Sequence, residues 1–157
     1  MLIRRFVAGD ESAESGMIAR ALRITNAKDY SPSEIEDLVR YMNPDHISEC
    51  ASKRHFYVAE ESGVPVGCAS IGPFRGKTDE SGIFTVFVDP DFQGRGIGRH
   101  LLFAVESDGL FLRARRIEIA SSVTAVGFYL KLGYAPKNGS LVPDEEHVVR
   151  MEKHRAV

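Results

Sequence analysis

One stretch constrains this chain more than any other. Gly82 to Val88 (GIFTVFV) is almost continuously apolar, Pro90 stops it, and glycines at every second position (Gly94, Gly96, Gly98) lead into a segment with Ile97, Leu101, Leu102 and Val105 on one face. A short apolar run of this kind reads as a strand buried on both faces. Proline cannot donate to a sheet ladder, and the apolar stripe after the glycines has helical spacing. Strand, glycine loop and helix make the first part of a right-handed crossover, and Arg116 to Ala120 (RIEIA) supplies the parallel strand that completes it. In such a unit ligands sit beyond the carboxyl ends of the strands, where the glycines lie.

The remaining segments build a sheet around that unit. Ile3 to Ala8 reads as a first strand and Glu14 to Leu22 as a helix with Met17, Ile18, Ala21 and Leu22 on one face. Ser31-Pro32 opens a second helix with Ile35, Leu38, Val39 and Met42 in register, Asn43-Pro44 ends it, and a short third helix spans Asp45 to Ala51. From His55 the period becomes two: HFYVAEE and PVGCASIG form a hairpin turning at Ser62-Gly63. After the crossover come a helix over Thr124 to Leu132, Gly133 as its stop, and two strands at Tyr134 to Pro136 and His147 to Glu152. The fold class is therefore α+β: a mixed, mostly antiparallel sheet of about seven strands flanked by helices, with one central parallel pair.

A chain of 157 residues is expected to form a single domain over 1–157. Lys plus Arg (20) nearly balance Asp plus Glu (22), with no block of either sign, so nucleic acid is not an expected partner. No secretory leader or ~20-residue apolar span is read in the sequence, so the protein is expected in the cytoplasm and away from membranes. Cys50 and Cys68, the only cysteines, fit neither a disulfide framework nor a zinc site and read as buried thiols; no metal is expected.

The alternating glycines permit close backbone approach, and the helix start offers unpaired N–H groups and a positive dipole end, a combination suited to a pyrophosphate, with Arg95 and Arg99 adding charge. A dinucleotide-binding G-x-G-x-x-G would need glycine at Arg99, and a P-loop would need GK[ST]; neither is met. Residues alone lead to a phosphate-bearing ligand. The segment VDPDFQGRGIGRHLL (Val88 to Leu102) resembles the Q/R-x-x-G-x-G/A motif of the GNAT superfamily of acyl-CoA-dependent N-acyltransferases. SVTAVGFYLKLGY (Ser122 to Tyr134) resembles its later F-Y-x-x-x-G-F/Y motif, in the right order and at about the right distance. The resemblance implies acetyl-CoA as acyl donor, with its pyrophosphate on the amides of Gly94, Arg95, Gly96, Ile97 and Gly98. It implies that Phe87 and Val88 pair through their backbones with the pantetheine arm, and that the two parallel strands splay to admit it. Cofactor contacts are further expected from Gln93, Arg99, Thr124 and Phe128, the last also packing with Ala125 and Leu132 between helix and sheet. Asparagine is common in the family where this chain has Thr124.

Acetylating an amine requires a neutral amine, stabilisation of charge on the acetyl oxygen and a proton for the departing thiolate. Tyr129 matches the family's usual general acid, and a phenol of pKa ~10 is protonated at neutral pH. An alkylamine is neutral in only about one molecule in 2,500 at pH 7, a cost of roughly 4.6 kcal/mol, so a base would help. The family's glutamate position is Gly82 here; Glu80, two residues earlier with the same strand parity, is the expected base, Glu118 the second candidate and His55 a possible relay. The acceptor is expected to be a small-molecule or peptide amine and the assembly a homodimer. A non-catalytic acyl-CoA-binding regulator is the alternative, although such a sensor would not need Tyr129.

Residues 25–54, which shape the acceptor pocket in the family, hold four cations (Lys28, Arg40, Lys53, Arg54) and six carboxylates (Asp29, Glu34, Glu36, Asp37, Asp45, Glu49). That balance favours a cationic amine. The opposite preference would point to an arginine such as Arg54 or Arg75.

Overall fold

The computed structural model describes residues 1–156. Seven strands, β1 Leu2–Arg5, β2 His55–Glu61, β3 Val64–Pro73, β4 Glu80–Val88, β5 Arg116–Ser122, β6 Ala135–Pro136 and β7 Val148–His154, form one sheet in the order β1-β2-β3-β4-β5-β7-β6. β4 and β5 are the parallel pair and every other pairing is antiparallel. The crossover between them carries α4 Ile97–Glu106 and the one-turn α5 Gly109–Leu112. Before β2 lie α1 Glu11–Ile24, α2 Pro32–Tyr41 and α3 Pro44–Lys53; α6 Val126–Lys131 follows β5.

Local chemistry fixes the ends of these elements. Ser31 and Glu34 form a reciprocal capping box at the start of α2, with Pro32 in its first turn, and Asn43 caps α3 through the His46 amide. The β2–β3 turn places Ser62 and Gly63 at φ 53° and 78°, the left-handed conformations a two-residue hairpin needs. β1 ends at Arg5, short of Ala8, because Asp10 accepts from the Val7 amide and from the Arg4 guanidinium and turns the chain into α1. A 3-10 turn over Val123–Ala125 occupies the predicted first turn of α6.

The period-two pattern sends alternate side chains to two faces. On one, Ile71, Ile83, Ile117, Ile119, Val149 and Met151 pack with Leu101, Leu102 and Val105 of α4 and with Tyr129 of α6. On the other, Phe56, Val58 and Cys68 pack under Met17, Ile18 and Leu22 of α1, Ile35 of α2 and Ile47 and Cys50 of α3. Each large side chain so buried contributes about 1.5–3 kcal/mol. Helices α1 to α3 cover only the β2–β3 side of that second face. Across β5 and β7 it is polar, with Arg116 donating to Glu80, Glu118 and Glu152, and Lys137 to Glu118. Both cysteines are free and buried. No helix among the described residues is long and apolar enough to cross a membrane.

Candidate active site

β4 and β5 pair only from Glu80↔Arg116 to Ile83↔Ile119, and beyond that point they part. The cause lies on the other edge of β4. Cys68 of β3 opposes Phe87 and Ser70 opposes Phe84, so one β3 residue, Ala69, faces both Thr85 and Val86. This is a bulge, which bends and twists its strand. Thr85 adopts φ 54°, an unfavourable conformation for a β-branched residue. Side chains of β3 hold it there: the Cys68 thiol donates to the Thr85 carbonyl at 3.2 Å and the Ser70 hydroxyl to the Phe84 carbonyl at 3.0 Å.

A cavity of about 460 Å³ fills the widening. Of the predicted residues, Phe87, Val88, Gln93, Gly94, Gly96, Ile97, Gly98, Arg99, Thr124, Phe128 and Tyr129 line it. Arg95 does not; its guanidinium lies over the Phe92 ring, 4.8 Å from the centroid. Ala21, Thr25 and Asn26 at the end of α1, together with Val86, Phe92, Ser122 and Ala125, complete the wall and were not anticipated. Hydrogen bonds tie the α1 end to both banks: Gln93 Nε2 donates to Thr25 Oγ1 (2.8 Å), and Thr124 Oγ1 donates to Asp29 (2.8 Å). Ser122, not Thr124, caps the following turn by accepting from the Ala125 amide at 3.2 Å. Behind them Tyr30 accepts from the Val123 amide and donates to the His147 carbonyl, and His147 lies 2.7 Å from Glu34.

The three glycines do different work. Gly94 and Gly96 sit at φ 78° and 79° and turn the chain. Gly98 is helical, and a Cβ there would come within 3.1 Å of the Phe128 ring, so this glycine lets α4 and α6 meet. The first-turn amides of α4 have no acceptor within the helix, the His100 amide being the one that reaches back to Gly96. Open amides, a positive helix end and the unpaired β5-side edge of Thr85–Val88 fit a diphosphate carrying an extended polar arm.

Tyr129 is 4% exposed, set edge-on to Phe128 and Tyr134. Burial pushes its pKa well above the ordinary phenol value, and no hydrogen bond among the described residues acts on it. A protonated donor thus stands at the cavity wall with its proton uncommitted.

Glu80 corrects the expectation of a base. It lies six residues before Val86, roughly 20 Å along the strand, and is not among the cavity lining. Ion pairs with Lys77 (2.6 Å) and Arg116 (2.9 Å) hold its carboxyl below the usual range, which makes it a poor proton acceptor. Matching strand parity hid this separation. Glu118 is similarly engaged: burial opposes its ionisation, but Lys137 and Arg116 outweigh burial and leave its pKa lowered. His55 lies 2.8 Å from Asp108, the cap of α5, and also stands outside the cavity lining.

The family described as "Acetyltransferase (GNAT) domain" matches residues 26–155. The chain belongs to the GNAT acetyltransferase family. A GNAT fold is seen in the PaiA N-acetyltransferase from Thermoplasma acidophilum, solved in complex with coenzyme A, which is similar with a TM-score of 0.83 at 18% identity over 98% of each chain. In sequence, this GNAT chain is 36% identical over 90 residues to an uncharacterised N-acetyltransferase of Methanocaldococcus jannaschii, covering 52% of this chain and 39% of that protein. It is 41% identical over 63 residues to a [ribosomal protein bS18]-alanine N-acetyltransferase of Salmonella typhimurium, covering 36% of this chain and 40% of that protein. These matches therefore span about two-fifths of the length of either relative.

Proposed function

We propose that this chain, acting as one domain, moves the acetyl group of acetyl-CoA directly to the amine of a small molecule or peptide, with Tyr129 as general acid. The observation that carries the reading is the uncommitted, protonated Tyr129 facing a cavity whose other walls are an open amide loop and an unpaired strand edge. The thioester supplies an acyl group activated for attack by an amine. Amides from Gly94 to Gly98 and the side chain of Arg99 hold the pyrophosphate, with Arg95 at the rim. Phe87 and Val88 take the arm along their backbones, and Gln93, Thr124 and Phe128 keep its banks in place. The arm runs toward the point where β4 and β5 part, and the leaving sulfur takes its proton from the Tyr129 hydroxyl.

No carboxylate or imidazole among the described residues lines the cavity. The acceptor accordingly loses its proton to solvent before it reacts. The test is release of free thiol from acetyl-CoA with a panel of amines, against hydrolysis by protein alone. Amine-dependent release establishes the activity, whereas tight acetyl-CoA binding with no release from any amine would leave the non-catalytic regulator as the reading.

A further inference from the structure

Arg54 is a half-buried arginine with unused donors. Among the described residues it forms no ion pair and finds no oxygen acceptor; its polar contact is Cys50 Sγ, 3.9 Å from Nη1. Other half-buried arginines are engaged: Arg116 and Arg150 hold carboxylates, and Arg155 holds three carbonyls. A guanidinium has five donors in a rigid fork, and those of Arg54 stay open to solvent or to a ligand rather than being taken up by the protein.

The group is also held in position. Its charge centre stands 3.8 Å from the centroid of the Phe84 ring. Its stem fills the space over Gly72, where a Cβ would lie 2.9 Å from Arg54 Cγ. The Phe84 ring in turn covers Gly82, where a Cβ would collide with it. Gly72 and Gly82 are register partners, and Gly82 is the partner of Glu118 on β5. Two adjacent glycines thus let an arginine and an aromatic ring lie flat on the sheet. Phe84 directly follows Ile83, the last β4 residue paired with β5, and its ring reaches back over Gly82, so the stack lies on the last paired residues, beside the point where the strands part and outside the lining of the cavity.

Four of the six carboxylates of residues 25–54 are held by partners, while Asp29 accepts from Thr124 Oγ1 and neither it nor Asp45 forms an ion pair among the described residues. Glu34 is occupied by His147 and the Ser31 amide, Glu36 by Arg23, Asp37 by Arg40 and Glu49 by Lys53. Counting charges along the sequence could not register this local pairing.

The geometry points to Arg54, pre-positioned on Phe84, as the receptor for a carboxylate of the acceptor. The acceptor class is then a small amine carrying a carboxylate a few bonds from the nitrogen, as in an amino acid. This inference rests on the acetyl-transfer reading, because it takes the parting point of β4 and β5 as the place of reaction. A two-pronged guanidinium–carboxylate contact discriminates by about ten- to a hundredfold.

The test compares kcat/KM for free amino acids and their primary amides, expressed per neutral amine, in the wild type and in Arg54→Gln and Arg54→Lys. The expected result is a wild-type preference for the carboxylate of at least tenfold, carried mainly by KM. It should fall to near unity in Arg54→Gln and to an intermediate value in Arg54→Lys, which keeps the charge and loses the fork. Thermal melts confirm that each variant is folded. Calorimetric titration of an N-acetyl amino acid and its amide, with and without CoA, reads the same discrimination without turnover. Absence of CoA binding or thiol release would defeat the acetyl-transfer reading alone. A wild type that favours the amide, or a preference that survives in folded Arg54→Gln, would overturn the role of Arg54.

Discussion

The two halves of the β4–β5 seam are made by the same pair of strands and behave as opposites. From Glu80 to Ile83 the strands are fully paired, with apolar side chains on one face and an ion-pair network on the other. From Thr85 to Val88 the β5-side edge is unpaired, and a cavity lies where the ladder would continue. The difference is one extra residue in β4, held by hydrogen bonds from Cys68 and Ser70. A binding cleft here is a local, stabilised failure to pair, and the paired half keeps that failure from spreading.

Deleting Thr85 would restore the register against β3 and close the widening. Acetyl-CoA affinity should fall by at least about a thousandfold, ~4 kcal/mol, while the variant stays folded by circular dichroism. Retained affinity in the deletion variant would show that the bulge does not make the cleft.

The bulge also rests on an unusual support. Glu14 of α1 is fully buried near the Cys68 thiol, neither carboxyl oxygen has a hydrogen-bond partner, and burial raises its pKa to about 8. Asp10 adds to that shift, while Cys68 and Arg4 oppose it. Because the folded-state pKa exceeds the unfolded one, the native state holds the proton more tightly. This contribution is complete below about pH 4.5 and is lost as pH rises to about 8. Denaturant titrations should show a decline on the order of 5 kcal/mol across that window, absent in Glu14→Gln. A parallel decline in Glu14→Gln would assign the effect elsewhere.

Tyr129→Phe keeps the packing of the ring and removes its hydroxyl. It should lower kcat about a hundredfold with little change in acetyl-CoA affinity, and wild-type turnover in a folded variant would make this residue structural. Gly96→Val tests the loop at the open end of the seam. A β-branched side chain at φ 79° is strained and crowds the phosphate approach, so the acetyl-CoA dissociation constant should rise some tenfold or more in isothermal titration. An unchanged constant would move the phosphate site away from the loop.

A last test concerns pH. With Glu80 and Glu118 both holding lowered pKa values, neither titrates in the neutral range. kcat/KM should rise about tenfold per pH unit up to the pKa of the acceptor amine and shift with that amine when it is exchanged. A break at a fixed pH for every amine would reveal a titrating group on the protein.

The legible parts of this molecule were those written in consecutive residues. The glycine loop and its helix, the β2–β3 hairpin, the parallel pair and Tyr129 on α6 all follow from local spacing or motif. The bulge was not legible, because GIFTVFV reads as regular strand and only pairing with Ala69 exposes the extra residue. Ala21, Thr25 and Asn26 reach the cavity through the docking of α1, for which a helical stripe gives direction but no address. Glu80 shared a strand face with the position sought and lay at the wrong end of the strand.

The hydrogen bonds around Tyr30 also set an order in time. The hydroxyl joins Val123, 93 residues later, and His147, 117 residues later. Contacts so distant along the chain carry a large loop-closure cost and form late. The hydroxyl therefore works as a clasp: the stretch that opens the β5 bank of the cavity is fastened to the α1–α2 side only when the segment before β7 has docked as well.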